Sequence, residues 1–452
     1  MRDSNFLKEN NAKHMWHPMA HPADMRNNPP KIITGAEGVE IIDVDGHRTL
    51  DAVGGLWNAN LGYSVDSIKK AMTDQLMELP YYSAFRGTTN DKAVELSYEL
   101  AQWFKPEGLV RSFFTSGGSD SVETCLRLAR QYHKVRGEGE RTKFISLKKG
   151  YHGTHFGGAS VNGNANFRRN YEPLLPGCFQ LPAPWTYRNP FNSTDPQEIA
   201  NRIIALFEEE IAFQGANTIA AMIMEPVLGA GGVIVPHQTF MPMVRQVCDK
   251  HGILLIADEV ITAFGRTGSM HGSRLWGVAP DMMCIAKAVT NSYFPFGAAM
   301  IGEKVAEAFE SNKDSVGNIG HGYTYSAHPV GCAAALATLA ETKKARIWEN
   351  AKARGEELQL GLNKLKEKHE IIGDTRGIGL MAAIELVTDK NTKAPASKAA
   401  MAAAFDGAYA DGVTIRVSGN NIILSPPLVI TSNDVNRMLS GLDKGLAAAT
   451  NA

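Results

Sequence analysis

From about residue 64 to residue 324 the chain alternates short apolar runs with helix-length amphipathic stretches, and few architectures accept that order. Strand candidates fall at 111–115, 143–147, 219–224, 253–257 and 282–286. The last three are apolar throughout, so they read as strands covered on both faces. Strands spaced by helices pack as a mostly parallel sheet, and such sheets hold their ligands at the carboxyl edge. Two of the runs carry reactive groups to that edge. The stretch 253–260, ILLIADEV, ends its apolar part at Asp258, and the run 282–286 leads straight into Lys287.

Lysines are rarely enclosed without a partner, so Lys287, between Ala286 and Ala288, is either a surface residue reaching outward or a functional amine. Other groups converge on the same edge. Thr115-Ser-Gly-Gly-Ser-Asp precedes a helix that places Val122, Cys125, Leu126, Ala129 and Tyr132 on one face. Gly118 at such a helix start leaves N–H groups and the positive dipole end free for a phosphate, with Ser119 adding a hydroxyl or capping the helix. The same residues also spell an ordinary Ser/Asp cap on a glycine turn. Tyr151 and His152 sit between glycines after the strand 143–147, where a ring can lie over a flat ligand or simply pack in a loop. Glu225 ends the run 219–224 as a second acid or a capping carboxylate. A phosphate turn, an aromatic, an acid and a lysine in this chain order suit pyridoxal 5'-phosphate. The lysine forms the Schiff base, and the carboxylate keeps the pyridine nitrogen protonated.

Other chemistries lack their parts. A nucleotide-triphosphate loop requires Gly-Lys, a dipeptide the chain does not contain. Gly377-Ile-Gly379-Leu-Met-Ala382 loosely matches a dinucleotide fingerprint, but a strand-like run (380–386) follows it where a helix is required. No histidine stands at metal-ligand spacing beside the acids, so no metal is expected. A net charge of −1 gives no field for nucleic acid or an acidic membrane. Five cysteines without a CxxC pair, and no apolar leader or membrane-length run, point to reduced thiols in a soluble, cytoplasmic protein. The flanks read differently from the middle. Residues 30–60 hold short strands around an Asp45-Gly46 turn. Helices cover 330–342 and the stretch to Lys368, and short strands follow at 380–386, 414–417 and 422–425.

The order of motifs resembles the class III aminotransferases, pyridoxal-phosphate enzymes of fold type I. The likeness runs from His14-Met-Trp-His-Pro18 to Pro426-Pro427-Leu428, and its most specific piece is Asp258-Glu-Val-Ile-Thr-Ala-Phe-Gly-Arg-Thr-Gly268 with Lys287 downstream. It implies an α/β fold with a large cofactor-binding domain over 64–329 and a smaller α/β domain formed by both chain ends, 1–63 and 330–452. Lys287 would be the Schiff-base lysine and proton shuttle, and Asp258 the partner of the pyridinium nitrogen. Tyr151 would stack on the ring with His152 beside it, and Val260 would pack the opposite face. Gly118 and Ser119 would hold the phosphate, with Glu225 at the cofactor too. Thr324 would reach the phosphate of a neighbouring subunit, which requires a homodimer or higher assembly.

Within that family the pocket residues look similar to those of amine:pyruvate and ω-amino-acid transaminases. Trp57, Tyr82 and Phe85 would supply aromatic walls, with Ala230 and Ile261 lining the rest. Arg416 would hold the acceptor's α-carboxylate and swing away when an apolar amine binds. The implied activity is ping-pong transfer of an amino group from an ω-amine or ω-amino acid to a keto acid, pyruvate. The rivals are a 4-aminobutyrate or ornithine transaminase, a decarboxylase or an aminomutase on the same scaffold, and a non-catalytic binding protein. Two departures stand out. The glycine turn, usually Asn-Ser-Gly-Ser-Glu-Ala in the family, is Ser116-Gly-Gly-Ser-Asp-Ser here, with a shorter acid. Arg86 stands where many relatives are uncharged, so it could bind a distal acid group of a donor or be a solvated charge.

Overall fold

The computed structural model describes residues 3–452. A seven-stranded sheet forms its centre, in the order Leu109–Thr115, Gly297–Gly302, Met282–Ala286, Leu254–Asp258, Ile219–Met224, Lys143–Leu147, Cys178–Leu181. All the pairings among the last five of these strands are parallel. Three strands have the bounds their residue pattern predicts, at 143–147, 219–224 and 282–286. The first starts two residues early, at Leu109, and the fourth is shifted by one residue, to Leu254–Asp258.

Two strands are not legible from residue pattern. Gly297–Gly302, GAAMIG, runs antiparallel between Leu109–Thr115 and Met282–Ala286. Its residues are small because its neighbours are close. A Cβ on Gly297 would stand 2.8 Å from the Gly117 carbonyl oxygen and from the Ser121 and Thr115 hydroxyls. Cys178–Leu181 forms the opposite edge, paired only with Lys143–Leu147.

Both faces of the sheet are covered. On one, Val122, Cys125, Leu126, Ala129 and Tyr132 of the helix Gly118–Val135 pack on Ile223, Ile256 and Cys284. On the other, the helices Pro196–Gln214 and Phe240–His251 bury Ile203, Phe207 and Val244 against Met222, Leu255 and Ala257. Each of the Val, Leu, Ile, Phe and Met side chains among these contributes about 1.5–3 kcal/mol. This double cover keeps the strands registered, so residues at their carboxyl ends are held to a common edge.

The flanking segments form two smaller sheets. Ile33–Glu37, Glu40–Asp43 and Arg48–Asp51 are antiparallel, and Val413–Thr414 joins Arg48–Asp51 in parallel, so both ends of the chain share one sheet. Ile372–Ile378, Met381–Asp389, Asn421–Leu424 and Arg416–Ser418 make the other. Gly377 and Gly379 stand at the hairpin joining its first two strands. A Cβ on Gly379 would come within 2.6 Å of the 266–268 backbone, so that glycine serves close packing. Among the described residues no helix is long and apolar enough to cross a membrane.

Candidate active site

Asp258 ends its strand beside Cys284 of the adjacent strand, and Lys287 comes three residues after Cys284, just past that strand's end, which brings the pair together at the carboxyl edge. Lys287 opens a 3-10 turn with φ +52, a left-handed conformation that costs a non-glycine residue about 1–2 kcal/mol. Among the described residues its amine has no ion pair or hydrogen bond. Burial pushes Lys287 down to about 8, opposed by the charges of Asp258 and Glu225 and helped by Arg416. A lowered pKa leaves a larger share of this lysine as the free, nucleophilic amine than an exposed lysine has.

The acids are held from several sides. Asp258 Oδ2 is 2.8 Å from His152 Nδ1, and its Oδ1 accepts the Val260 N–H. His152 is fully enclosed, and its Nε2 has no partner among the described residues. Asn162 clamps this turn, with its Oδ1 accepting from the His152 N–H and its Nδ2 donating to the Gly153 carbonyl. Glu225 accepts the N–H groups of Tyr151 (3.0 Å) and Gly229 (2.9 Å), and burial pushes it up to about 7. The helix Gly118–Val135 begins with extended Gly117 as its cap residue and no side-chain cap. Ser119 is therefore not the cap. Its hydroxyl accepts the Thr154 N–H instead, while Asp120 bonds the Ser116 N–H and His155. The first-turn N–H groups of this helix stay open.

These groups surround one cavity of about 420 Å³, lined by Gly118, Ser119, Tyr151, His152, Glu225 and Asp258, with Val260, Ile261 and Lys287. Leu56, Asn58, Ser292 and Phe294 line it as well. Sequence reasoning missed these four and Asn162, because nothing in their spacing marks them.

A family model for class III aminotransferases matches residues 22–446. The chain belongs to the class III aminotransferases. An amine transaminase of known structure from an uncultivated Pseudomonas species is 47% identical, with a TM-score of 0.95, covering 96% of this chain and 98% of its own. The putrescine–pyruvate aminotransferase of Pseudomonas aeruginosa is 35% identical over 429 residues, 94% of this chain and 92% of its own. A probable gamma-aminobutyrate transaminase 3, mitochondrial, from Oryza sativa subsp. indica is 35% identical over 421 residues, 93% of this chain and 82% of its own.

A class III aminotransferase is a pyridoxal-phosphate-dependent transferase acting on an amine donor and a keto acid, and the cavity suits that cofactor. It offers an unpaired amine at Lys287, an uncapped helix start at Gly118 and a carboxylate at Asp258. Gly118 is required by contact, since a Cβ there would stand 2.9 Å from a Val260 methyl. The remaining predicted residues lie further out. Trp57 does not line this cavity; it is buried beside Ile261 among Val227, Val233 and Met381. Ala230 sits on the adjoining loop. Arg416 is half-buried and is electrostatically coupled to Tyr151 and Lys287. Tyr82, Phe85, Arg86 and Thr324 are exposed and do not line the cavity of their own chain. Phe85 and Arg86 instead border a surface depression with Phe113 and His321, and Thr324 accepts a hydrogen bond from Tyr81 through its carbonyl.

Proposed function

We propose that this aminotransferase moves an amino group from a primary amine lacking an α-carboxylate to pyruvate or a similar keto acid, by a ping-pong sequence. One observation carries the reading. Arg416 is a half-buried guanidinium with no ion pair among the described residues, set near Lys287. Burial lowers its pKa, with only Tyr151 opposing. A charge so enclosed calls for an anion, and a keto acid brings one. The cavity walls at Leu56, Ile261 and Phe294 are apolar and suit the other half-reaction, in which no carboxylate enters.

When bound, pyridoxal phosphate supplies an aldehyde for the amines and a ring that accepts electrons from the substrate carbon. The chain supplies the rest. The N–H groups at Gly118 and Ser119 would hold the phosphate, and Asp258, braced by His152, would keep a proton on the ring nitrogen. Tyr151, fixed through its N–H by Glu225, would cover one face and Val260 the other. Lys287, displaced by the donor amine, would carry a proton between the donor carbon and the cofactor.

We take the working enzyme to be at least a dimer. Thr324, Tyr82, Phe85 and Arg86 are exposed, as are Met77 (82% exposed), Tyr98 and Tyr325. An apolar, aromatic surface of this kind fits a second copy, whose cavity Thr324 and Phe85 would complete. Alanine formation from pyruvate tests the reading, with 1-phenylethylamine, isopropylamine, putrescine and 4-aminobutyrate as donors. Alanine with the carboxylate-free amines supports it. Turnover of 4-aminobutyrate alone moves the enzyme to the rival class, and no alanine with any donor refutes it.

A further inference from the structure

The loop 53–58 lines the substrate side of the cavity through Leu56 and Asn58, and it holds one strained residue, Trp57. Gly54 (φ +57), Gly55 (φ +65) and Trp57 (φ +66) all occupy the left-handed region. Side chains are barred at both glycines. A Cβ on Gly54 would meet the Ser425 carbonyl oxygen at 2.5 Å, and one on Gly55 would meet Asn58 Oδ1 at the same distance. Such a loop persists only if its surroundings over-determine it.

The restraint comes from Asp51, at the end of the strand Arg48–Asp51 and 2% exposed. Its Oδ1 accepts the N–H groups of Val53 (2.9 Å) and Gly54 (3.0 Å), and its Oδ2 accepts the N–H of Gly55 (2.7 Å) and the hydroxyl of Tyr63 (2.5 Å). Four donors thus converge on one buried carboxylate, three of them from the loop itself. From the other side the Ser425 hydroxyl donates to the Val53 carbonyl, and Trp57 is wedged against Ile261, another lining residue. Two steps link Asp51 to the cavity: carboxylate to loop N–H groups, then loop to Leu56 and Asn58.

We infer that Asp51, steadied by Tyr63, is a positioning residue that sets which amine donors this enzyme accepts, by fixing the shape of loop 53–58. Asp51 touches neither substrate nor cofactor; it acts through the loop. The inference rests on the reading of the cavity's apolar side as the donor pocket.

Asp51→Asn is the sharp test. An amide can keep one oxygen for Val53 and Gly54, but its NH2 group then faces the Gly55 N–H, so restraint is lost next to Leu56. Tyr63→Phe removes one donor, leaves the carboxylate in place, and carries the test if Asp51→Asn does not fold. Two readouts are needed on the holoenzyme. Amide exchange in a peptide covering 53–58 should accelerate about tenfold in Asp51→Asn and less in Tyr63→Phe, with a peptide covering 254–258 unchanged. The ratio of kcat/KM for 1-phenylethylamine to that for isopropylamine should shift about fivefold in Asp51→Asn, and in the same sense in Tyr63→Phe. Equal losses for both donors, or a faster-exchanging loop with an unchanged ratio, would overturn the inference, as would unchanged exchange. Wild-type enzyme that uses neither donor refutes the donor reading instead, and the exchange rates still report whether Asp51 holds the loop.

Discussion

Lys287 is costly to the empty fold, and removing it should stabilise the cofactor-free enzyme. A free lysine titrates at 10.5, and burial brings this one to about 8. The folded state therefore prefers the neutral amine. At pH 7 the lysine is charged in both states, and folding bears nearly the whole cost of enclosing that charge. With each pKa unit worth about 1.4 kcal/mol, the cost is at most about 3.4 kcal/mol. As pH rises through 8 toward 10.5, the folded protein sheds the proton while the unfolded chain keeps it, and the cost drains away. At pH 9.5 only about 1.4 kcal/mol remains. Lys287→Met keeps an unbranched side chain of similar length and carries no charge. Urea unfolding of the cofactor-free variant should show a higher midpoint than wild type, by about 2–3 kcal/mol at pH 7 and about 1 kcal/mol at pH 9.5, with the denaturant slope unchanged. A variant no more stable than wild type at pH 7, or a gain equally large at pH 9.5, would refute the reasoning. The loss of all transamination in the same variant marks stability given up for reactivity.

Arg416→Ala should raise KM for pyruvate about 100-fold through loss of a charge-assisted bond, while the half-reaction with 1-phenylethylamine changes about threefold or less; single-turnover absorbance separates the two. Glu259 is fully buried and accepts from the Gly272 and Ser273 N–H groups and from the Thr262 and Ser273 hydroxyls, so Glu259→Ala strands four donors. It should cost about 3–5 kcal/mol in urea unfolding without touching the cavity lining. Met77→Lys with Tyr98→Lys should shift the light-scattering mass from dimer to monomer and abolish activity with it. A fully active monomer would refute the shared site.

The residues that announce themselves in sequence are those whose chemistry conflicts with their setting. Asp258 and Lys287 end apolar runs where charge is out of place, and the structure sets them at the carboxyl ends of adjacent strands. Gly118 is legible as a turn before a periodic helix, although the helix start proved to have no side-chain cap. Trp57 shows the limit. The family resemblance implies Trp57 as a pocket wall, yet its ring is buried in the core and the loop presents Leu56 and Asn58 to the cavity instead. Asp51, Asn162 and Glu259 were invisible for a related reason. Each is an ordinary polar residue whose role lies in backbone N–H or C=O groups that only the folded chain brings to it.

The antiparallel strand Gly297–Gly302 has a consequence for how the protein is made. It is the last strand of the central sheet to leave the ribosome, yet among the described residues it is the only sheet neighbour of the first, Leu109–Thr115. Until it arrives, that early strand has an open edge on both sides, and the turn at Thr115–Gly117 lacks the glycine that packs on it. A nascent chain halted before residue 297 therefore carries Asp258 and Lys287 but an unfinished turn at 115–117. Such a chain exposes both edges of that early strand to its neighbours, and synthesis through residue 302 covers one of them.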